Sequence, residues 1–236
     1  MISSTKALKS TAQHSYNYSR FKADYYQFEK FEGLSSGEIF IDFELRTTNG
    51  EKKKISDFLD KPLVLEMGSI TCPMYAGNSK AMNEFSKKYT DFNFIVLYVR
   101  EAHPGNRVKS HSSDESKIDA AIKTYHHYAE SRNVLVDTLN GDAHKVYGSL
   151  PNSVFIIGTD RKILFCKPWN NVDYIEPVLK AIRIGQNANY LEFRPARPGL
   201  WQSIVTLFIG GWLSFFDFLI QLPKLFFNHL KAGNLF

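Results

Sequence analysis

The chain has 236 residues, with 29 Lys plus Arg against 24 Asp plus Glu, a formal charge of +5, and two cysteines, Cys72 and Cys166. Two cysteines exclude a disulfide scaffold, and no CxxC pair or Cys/His spacing for structural zinc occurs. The basic excess suits an anionic membrane surface or a small anionic ligand and is too dispersed to argue for nucleic acid.

The opening "MISSTKALKSTAQHSYNYSRF" lacks the apolar stretch of a signal peptide, which disfavours a cleaved secretory route. Across residues 1–36 the aromatics Tyr18, Phe21, Tyr25 and Phe28 recur at intervals of three and four, predicting a short helix with one aromatic stripe. Such an N-terminal extension either docks on the main domain or serves as a partner-binding arm.

In the middle, "IFIDFEL" alternates as a strand and Asn49-Gly50 marks a turn. "ISDFLD" is a turn or short helix before the apolar strand "PLVLEMG". "AGNSKAMNEFSKKY" has helical spacing at Ala81, Met82, Phe85 and Tyr89, and "FNFIVLYV" is continuous enough for a central strand covered on both faces. Next come a Gly/Pro/Ser/His-rich loop near 100–117, the helix "KIDAAIKTYHHYAE", the strand "NVLVD" and the short helix "GDAHKVYG". The hairpin "SVFIIG", "ILFCKP" and the helix "NVDYIEPVLKAIRI", interrupted or started at Pro177, complete the series. This order predicts an α/β layer architecture with a mixed sheet, whose functional residues gather beyond the carboxyl ends of parallel strands. The expected division is 1–36, 37–190 and 191–236.

The tail "LWQSIVTLFIGGWLSFFDFLIQL", residues 200–222, has one charge, Asp217. Ser203, Thr206, Gly210, Ser214, Asp217 and Gln221 step by three or four along one narrow polar face of a helix long enough to cross a bilayer. Three arrangements follow: a transmembrane span, a helix in the membrane interface, and a helix buried in a homodimer. Asp217 and Pro223 argue against a deep span. Basic residues on both flanks suit phosphate headgroups without setting an orientation.

Cys72 stands where a strand passes into a helix, and a helix start favours thiolate over thiol. A lowered pKa is therefore expected, with Thr71 donating a hydroxyl hydrogen bond and Pro73 tolerated in the first turn. The alternative is a cysteine that fills core space. Glu101 and His103 follow the next strand at like parity, with His103 placed to relay a proton and Glu101 to orient it. His111, His126, His127 and His144 show no comparable local arrangement. Cys166 is either an inward strand cysteine or a resolving thiol.

"PLVLEMGSITCPMY", "FNFIVLYVREAHPG" and "KVYGSLPNSVFIIGTDRKILF" together resemble the iodothyronine deiodinase family, over roughly residues 37–184. The resemblance implies a thioredoxin-like mixed sheet flanked by helices, and an oxidoreductase acting on a small molecule with a thiol reductant. It places Cys72 where the family has its selenocysteine or cysteine nucleophile, with Thr71, Glu101 and His103 at the matching catalytic positions. Departures are Met74 for a second proline, "GNRVKS" for an Asp-Gly-Trp stretch, and Ser153 where the family has arginine and thioredoxin relatives a cis-proline. The family's membrane segment is N-terminal, whereas the apolar stretch here is C-terminal.

Three functions are consistent with these residues: a deiodinase-like reductive dehalogenase or broader thiol oxidoreductase, a peroxiredoxin-like peroxidase, and a non-catalytic membrane-bound thioredoxin-like adaptor. The peroxidase pattern is incomplete, since Leu65 and Ser69 stand where proline and threonine are required. No nucleotide loop, metal cluster or organic-cofactor fingerprint is present, so no cofactor is expected. The expected location is membrane-associated and otherwise cytoplasmic.

Overall fold

A computed structural model describes residues 16–26, 31–195 and 199–233. The strands are β1 (Glu44–Thr47), β2 (Lys52–Lys54), β3 (Leu63–Gly68), β4 (Asn93–Tyr98), β5 (Asn133–Val136), β6 (Val154–Ile157) and β7 (Ile163–Lys167), joined in one sheet in the order β2-β1-β5-β4-β3-β6-β7. The helices are α1 (Pro73–Lys88), α2 (Asp114–His127), α3 (Asp142–Val146), α4 (Val172–Arg183), α5 (Leu200–Gly210) and α6 (Trp212–Lys231).

The two apolar runs are neighbours: β3 and β4 pair in parallel, β4 pairs in parallel with β5, and β6 runs antiparallel to β3. β3 is buried at every position, which is why its sequence is continuous rather than alternating. Leu63, Leu65 and Met67 point into one core with Phe155 and Tyr147, while Val64 faces α1 and α4 through Met82, Val178 and Leu179. The lysines of β2 hold the sheet edge, a common guard against edge pairing. Asn49-Gly50 makes the expected turn, with Gly50 at φ 87°.

The N-terminal segment contributes one turn of 3-10 helix, Ala23–Tyr25, rather than a regular helix along its aromatic stripe, and Phe28 lies outside the described residues. Tyr18, Phe21, Ala23 and Tyr26 are nevertheless buried, against Leu150, Trp169 and Leu225.

The C-terminal stretch differs from the single helix expected over 200–222. Gly211, at φ 109°, breaks it into α5 and α6, and α6 continues through Pro223 to Lys231. Among the described residues no helix is long and apolar enough to cross a membrane. The expected polar stripe exists and faces inward: Ser203, Thr206, Gly210, Ser214 and Asp217 are all buried. The apolar faces point away from the domain, with Trp201, Trp212, Ile220 and Phe227 exposed.

Candidate active site

β3 ends at Gly68, and the bend Ser69–Thr71 turns the chain into α1. Gly68 is required there, because a Cβ would lie 2.4 Å from the ring of Tyr75. Cys72 takes an extended conformation at the helix N-cap, and Pro73 follows inside the first turn. The backbone N–H groups of Met74 and Tyr75 favour its thiolate, as expected of a helix start.

Burial outweighs them. Cys72 is 1% exposed, within a cluster that includes Tyr75, Tyr98, Ala102 and partly buried Met74 and Tyr128. Desolvation pushes the thiol up to about 12, and the Glu66 and Glu101 carboxylates add to the rise. The expectation of a lowered thiol pKa is thus corrected for this conformation: the helix-start effect is present, and the water it would act beside has been removed.

β4 delivers the second group of residues. Val99 N donates to Gly68 O at 3.0 Å, which aligns the chain after β4 with the chain after β3. Glu101 then accepts from Thr71 Oγ1 at 2.5 Å and Thr71 N at 3.1 Å, and also from Tyr98 Oη. His111 Nε2 lies 3.3 Å from Glu101 Oε1, off the line of a good hydrogen bond. Burial alone would raise the Glu101 carboxyl; the nearby His111 imidazole, followed by the Thr71 and Tyr98 hydroxyl donors, holds it below the ordinary carboxylate range.

His103 meets Glu101 only indirectly: its backbone N–H donates to Thr71 Oγ1 at 3.1 Å. The ring lies between Phe21, at 4.3 Å, and Phe218, at 5.6 Å. Its Nδ1 is buried and unpartnered, and it makes no hydrogen bond to Cys72. Burial lowers its pKa to about 3, although Asp217 and Glu101 oppose that fall, so the imidazole is neutral at pH 7. The side-chain pairing expected between Glu101 and His103 is replaced by one between Glu101 and the Thr71–Tyr98–His111 set.

Tyr98 and His111 were not among the residues singled out from sequence. Tyr98 ends β4 three residues before Glu101, a signal that was available, whereas His111 comes from a loop with no local pattern. Arg100 is a further case: its guanidinium lies over the rings of Tyr16, Tyr18 and Tyr26 at 5.0, 5.1 and 5.2 Å. Tyr18 Oη also donates to Ala102 O at 2.8 Å, tying the N-terminal segment to the site.

Below the site a charge sits in the middle of β3. Glu66 accepts from Arg132 at 2.6 Å, Asn152 at 3.0 Å and Asn170 at 2.7 Å, and Arg132 also binds Glu130. Tyr75 of α1 donates to Glu130 at 2.7 Å, anchoring the helix that carries Cys72.

Cys166 is no partner for Cys72. Phe155 stands between Leu65 and Cys166 in register, so Cys166 is about 9.5 Å from Leu65 even before the chain runs on to Cys72. A disulfide needs Cα atoms within about 7 Å. Cys166 instead lies 3.8 Å from Ser36 Oγ. Ser153 is fully buried with an unpartnered hydroxyl, and no cis peptide occurs among the described residues. No group of three His, Cys, Asp or Glu among them could hold a metal ion.

A central sheet with a cysteine at the strand-to-helix junction and antiparallel β6–β7 beside it defines a thioredoxin-like protein. Solved structures agree on the fold. A protein from Chlorobium tepidum described as a thiol:disulfide interchange protein DsbE matches with TM-score 0.52 and 19% identity over 64% of this chain and 98% of its own. Peroxidoxin BcpB from Mycobacterium tuberculosis matches with TM-score 0.50 and 17% identity over 65% and 99%. The sequence profile of the iodothyronine deiodinase family matches residues 8–176, and the chain belongs to that family. Among curated relatives, the type I iodothyronine deiodinase of Xenopus laevis is 30% identical over 137 residues, 51% of this chain and 53% of that protein. The thyroxine 5-deiodinase of Ovis aries is 28% identical over 108 residues, 42% of this chain and 37% of that protein. The chain thus spans about half, or less, of the length of these relatives.

Proposed function

We propose that this protein is a thiol-dependent oxidoreductase that reductively dehalogenates a small aromatic substrate, with Cys72 as nucleophile and an external thiol as reductant. The observation that carries the reading is the meeting of two strand ends, where the Thr71 hydroxyl beside Cys72 touches both Glu101 and the His103 backbone. Thr71, Glu101 and His103 are assigned to the catalytic group on that basis.

In the proposed reaction, Cys72 Sγ takes up the halogen of a carbon–iodine bond as the ring carbon receives a proton, giving the reduced arene and a sulfenyl iodide. One external thiol displaces iodide to form a mixed disulfide with Cys72. A second thiol releases Cys72 and leaves as the disulfide of the reductant. The separation of Cys166 from Cys72 supports an external reductant over an internal resolving thiol. The proton that reaches the ring carbon is the one the Cys72 thiol gives up; Glu101, held ionised at the Thr71 hydroxyl, is the base that accepts and relays it, and the open Nδ1 of neutral His103 offers one hydrogen bond to a substrate hydroxyl.

Iodide release from an iodothyronine in the presence of a dithiol tests the reading. Wild type is expected to turn over and Cys72→Ala to be inactive while folded; equal release by the two proteins rejects it.

The burial of Cys72 favours a second reading, a non-catalytic thioredoxin-like adaptor. It is distinguished by a Cys72 that resists alkylation at neutral pH under every condition tried, including with substrate and dithiol present. Membrane association through residues 200–222 belongs to the first reading and is supported by the outward apolar faces of α5 and α6. A homodimer formed through the same faces is the competing arrangement. We retain the division into 1–36, 37–190 and 191–236 as part of the proposal.

A further inference from the structure

We infer that Arg100, Tyr26 and Tyr18 are positioning residues for the catalytic group: they head a one-way hydrogen-bond chain that runs through the Ala102–His103 peptide to Thr71 and ends on Glu101. The inference rests on the reading of Glu101 as the base that serves Cys72.

Proton counting fixes the direction. Thr71 Oγ1 gives its hydrogen to Glu101 at 2.5 Å and accepts the His103 N–H at 3.1 Å. The carbonyl of that same peptide, Ala102 O, accepts from Tyr18 Oη at 2.8 Å. A phenol has one proton to donate. That of Tyr18 lies on the carbonyl, so in the 2.5 Å contact between the two hydroxyls Tyr26 is the donor and Tyr18 the acceptor. Tyr26 in turn takes a hydrogen bond from the Arg100 side chain. Every donor therefore points away from the guanidinium and toward the carboxylate of the next residue in the sequence.

The chain is dry and charged at both ends. Tyr18, Tyr26, Thr71, Arg100 and Glu101 are all buried, and hydrogen bonds linked head to tail in such surroundings strengthen one another by roughly 10–30% each. The other acceptors of Arg100 among the described residues are neutral: Tyr16 O at 3.1 Å, Ser149 O at 3.4 Å and Tyr25 O at 3.5 Å. The cation is thus held by tyrosine faces, backbone oxygens and this chain. Around Glu101 stand Thr71 and Cys72 from the bend after β3, Tyr98 of β4, His111 from the loop that follows, and Lys117 of α2. Of these, Thr71 is the one that also binds the His103 backbone, so it passes to Glu101 whatever disturbs the Ala102–His103 peptide. Without the Tyr18 hydroxyl, Ala102 O is a buried acceptor lacking its donor. The peptide then tilts toward other donors, which draws the His103 N–H off Thr71 and loosens the carboxylate beside Cys72.

Two quantities are measured on the full chain and its variants: iodide release from an iodothyronine with a dithiol, and the His103 amide resonance in 1H–15N spectra. Tyr18→Phe removes a single oxygen. Its kcat is expected to fall about three- to tenfold, the effect of one weakened hydrogen bond, with KM within about twofold of wild type and the His103 amide proton moved upfield. Tyr26→Phe and Arg100→Met are expected to act in the same direction. Because the links stand in series, Tyr26→Phe should add nothing to Tyr18→Phe in the double variant. The two Tyr→Phe changes keep both rings in place, so the test does not depend on Arg100→Met folding. Tyr16→Phe, whose hydroxyl bonds His144 instead, controls for a loosened N-terminal segment and should leave kcat and the amide unchanged. Additive losses in the double variant, an unmoved amide in Tyr18→Phe, or an equal response to Tyr16→Phe each overturn the chain. An amide that moves while kcat holds overturns the positioning role. The amide can be read without turnover, which separates this inference from the proposed chemistry. A wild type that releases no iodide while the amide answers in series removes the chemistry and leaves the chain; full turnover in Tyr18→Phe with an unmoved amide does the reverse.

Discussion

Thr71 carries two roles on one oxygen, giving its hydrogen to Glu101 and accepting the backbone N–H of His103. Replacing it by the near-isosteric valine leaves the His103 N–H without its acceptor and Glu101 short of a donor, at a cost of about 1–3 kcal/mol in urea unfolding. Thr71→Ser is expected to recover most of that loss and of any turnover. His103 has a pH consequence of its own. Its folded pKa of about 3 lies below the ordinary 6.5, so the unfolded chain takes up the proton first. Stability is therefore highest above pH 6.5 and falls as pH drops toward 3, by up to about 4 kcal/mol from this residue. Acid titration of unfolding should show a shallower decline in His103→Gln than in wild type; parallel curves would contradict it. The position of Cys72 was legible because strand, turn and helix signals lie within a few residues of it. His111 was not, since its approach to Glu101 depends on the path of a loop with no periodicity.

At the scale of elements, the motifs keep their places because β3 and β4 are parallel neighbours whose ends must coincide. Periodicity located those strands well and located α1 and α4 nearly as well. It read α5 and α6 as one helix, because a glycine that breaks a helix looks like any glycine in an apolar run until φ is known. Gly105 tests the seat of this pair. Gly105→Ala drives a Cβ into Gly210 O, which is backbone and cannot swing aside. Hydrogen exchange should then quicken in α5 and α6 while β3 and β4 stay protected. Unchanged exchange in the helices would mean that the contact relaxes locally.

For the whole molecule, the buried ion cluster links the centre of the sheet to α1. Arg132 compensates Glu66 and Glu130, and all three are almost fully buried. Arg132→Met strands two carboxylates in the interior and should destabilise the fold by about 3–5 kcal/mol in denaturant unfolding. The charge within "PLVLEMG" was the available sign that this strand has a polar task. Cys166→Ser, by contrast, should leave both turnover and Cys72 labelling unchanged, because the sheet holds the two sulfurs apart; a disulfide between them in oxidised wild type would refute that geometry.

The order of motifs, the strand-to-helix setting of Cys72, the mixed sheet and the polar stripe of the tail were all determined by residues close together in the chain, through side-chain alternation and turn chemistry. Tertiary structure alone decided that the thiol is desolvated, that Glu101 turns to His111, and that the tail shows its polar side to the domain. The reason is physical: desolvation is set by whatever atoms displace the water. Those around His103 arrive from Phe21 at one end of the chain and Phe218 at the other.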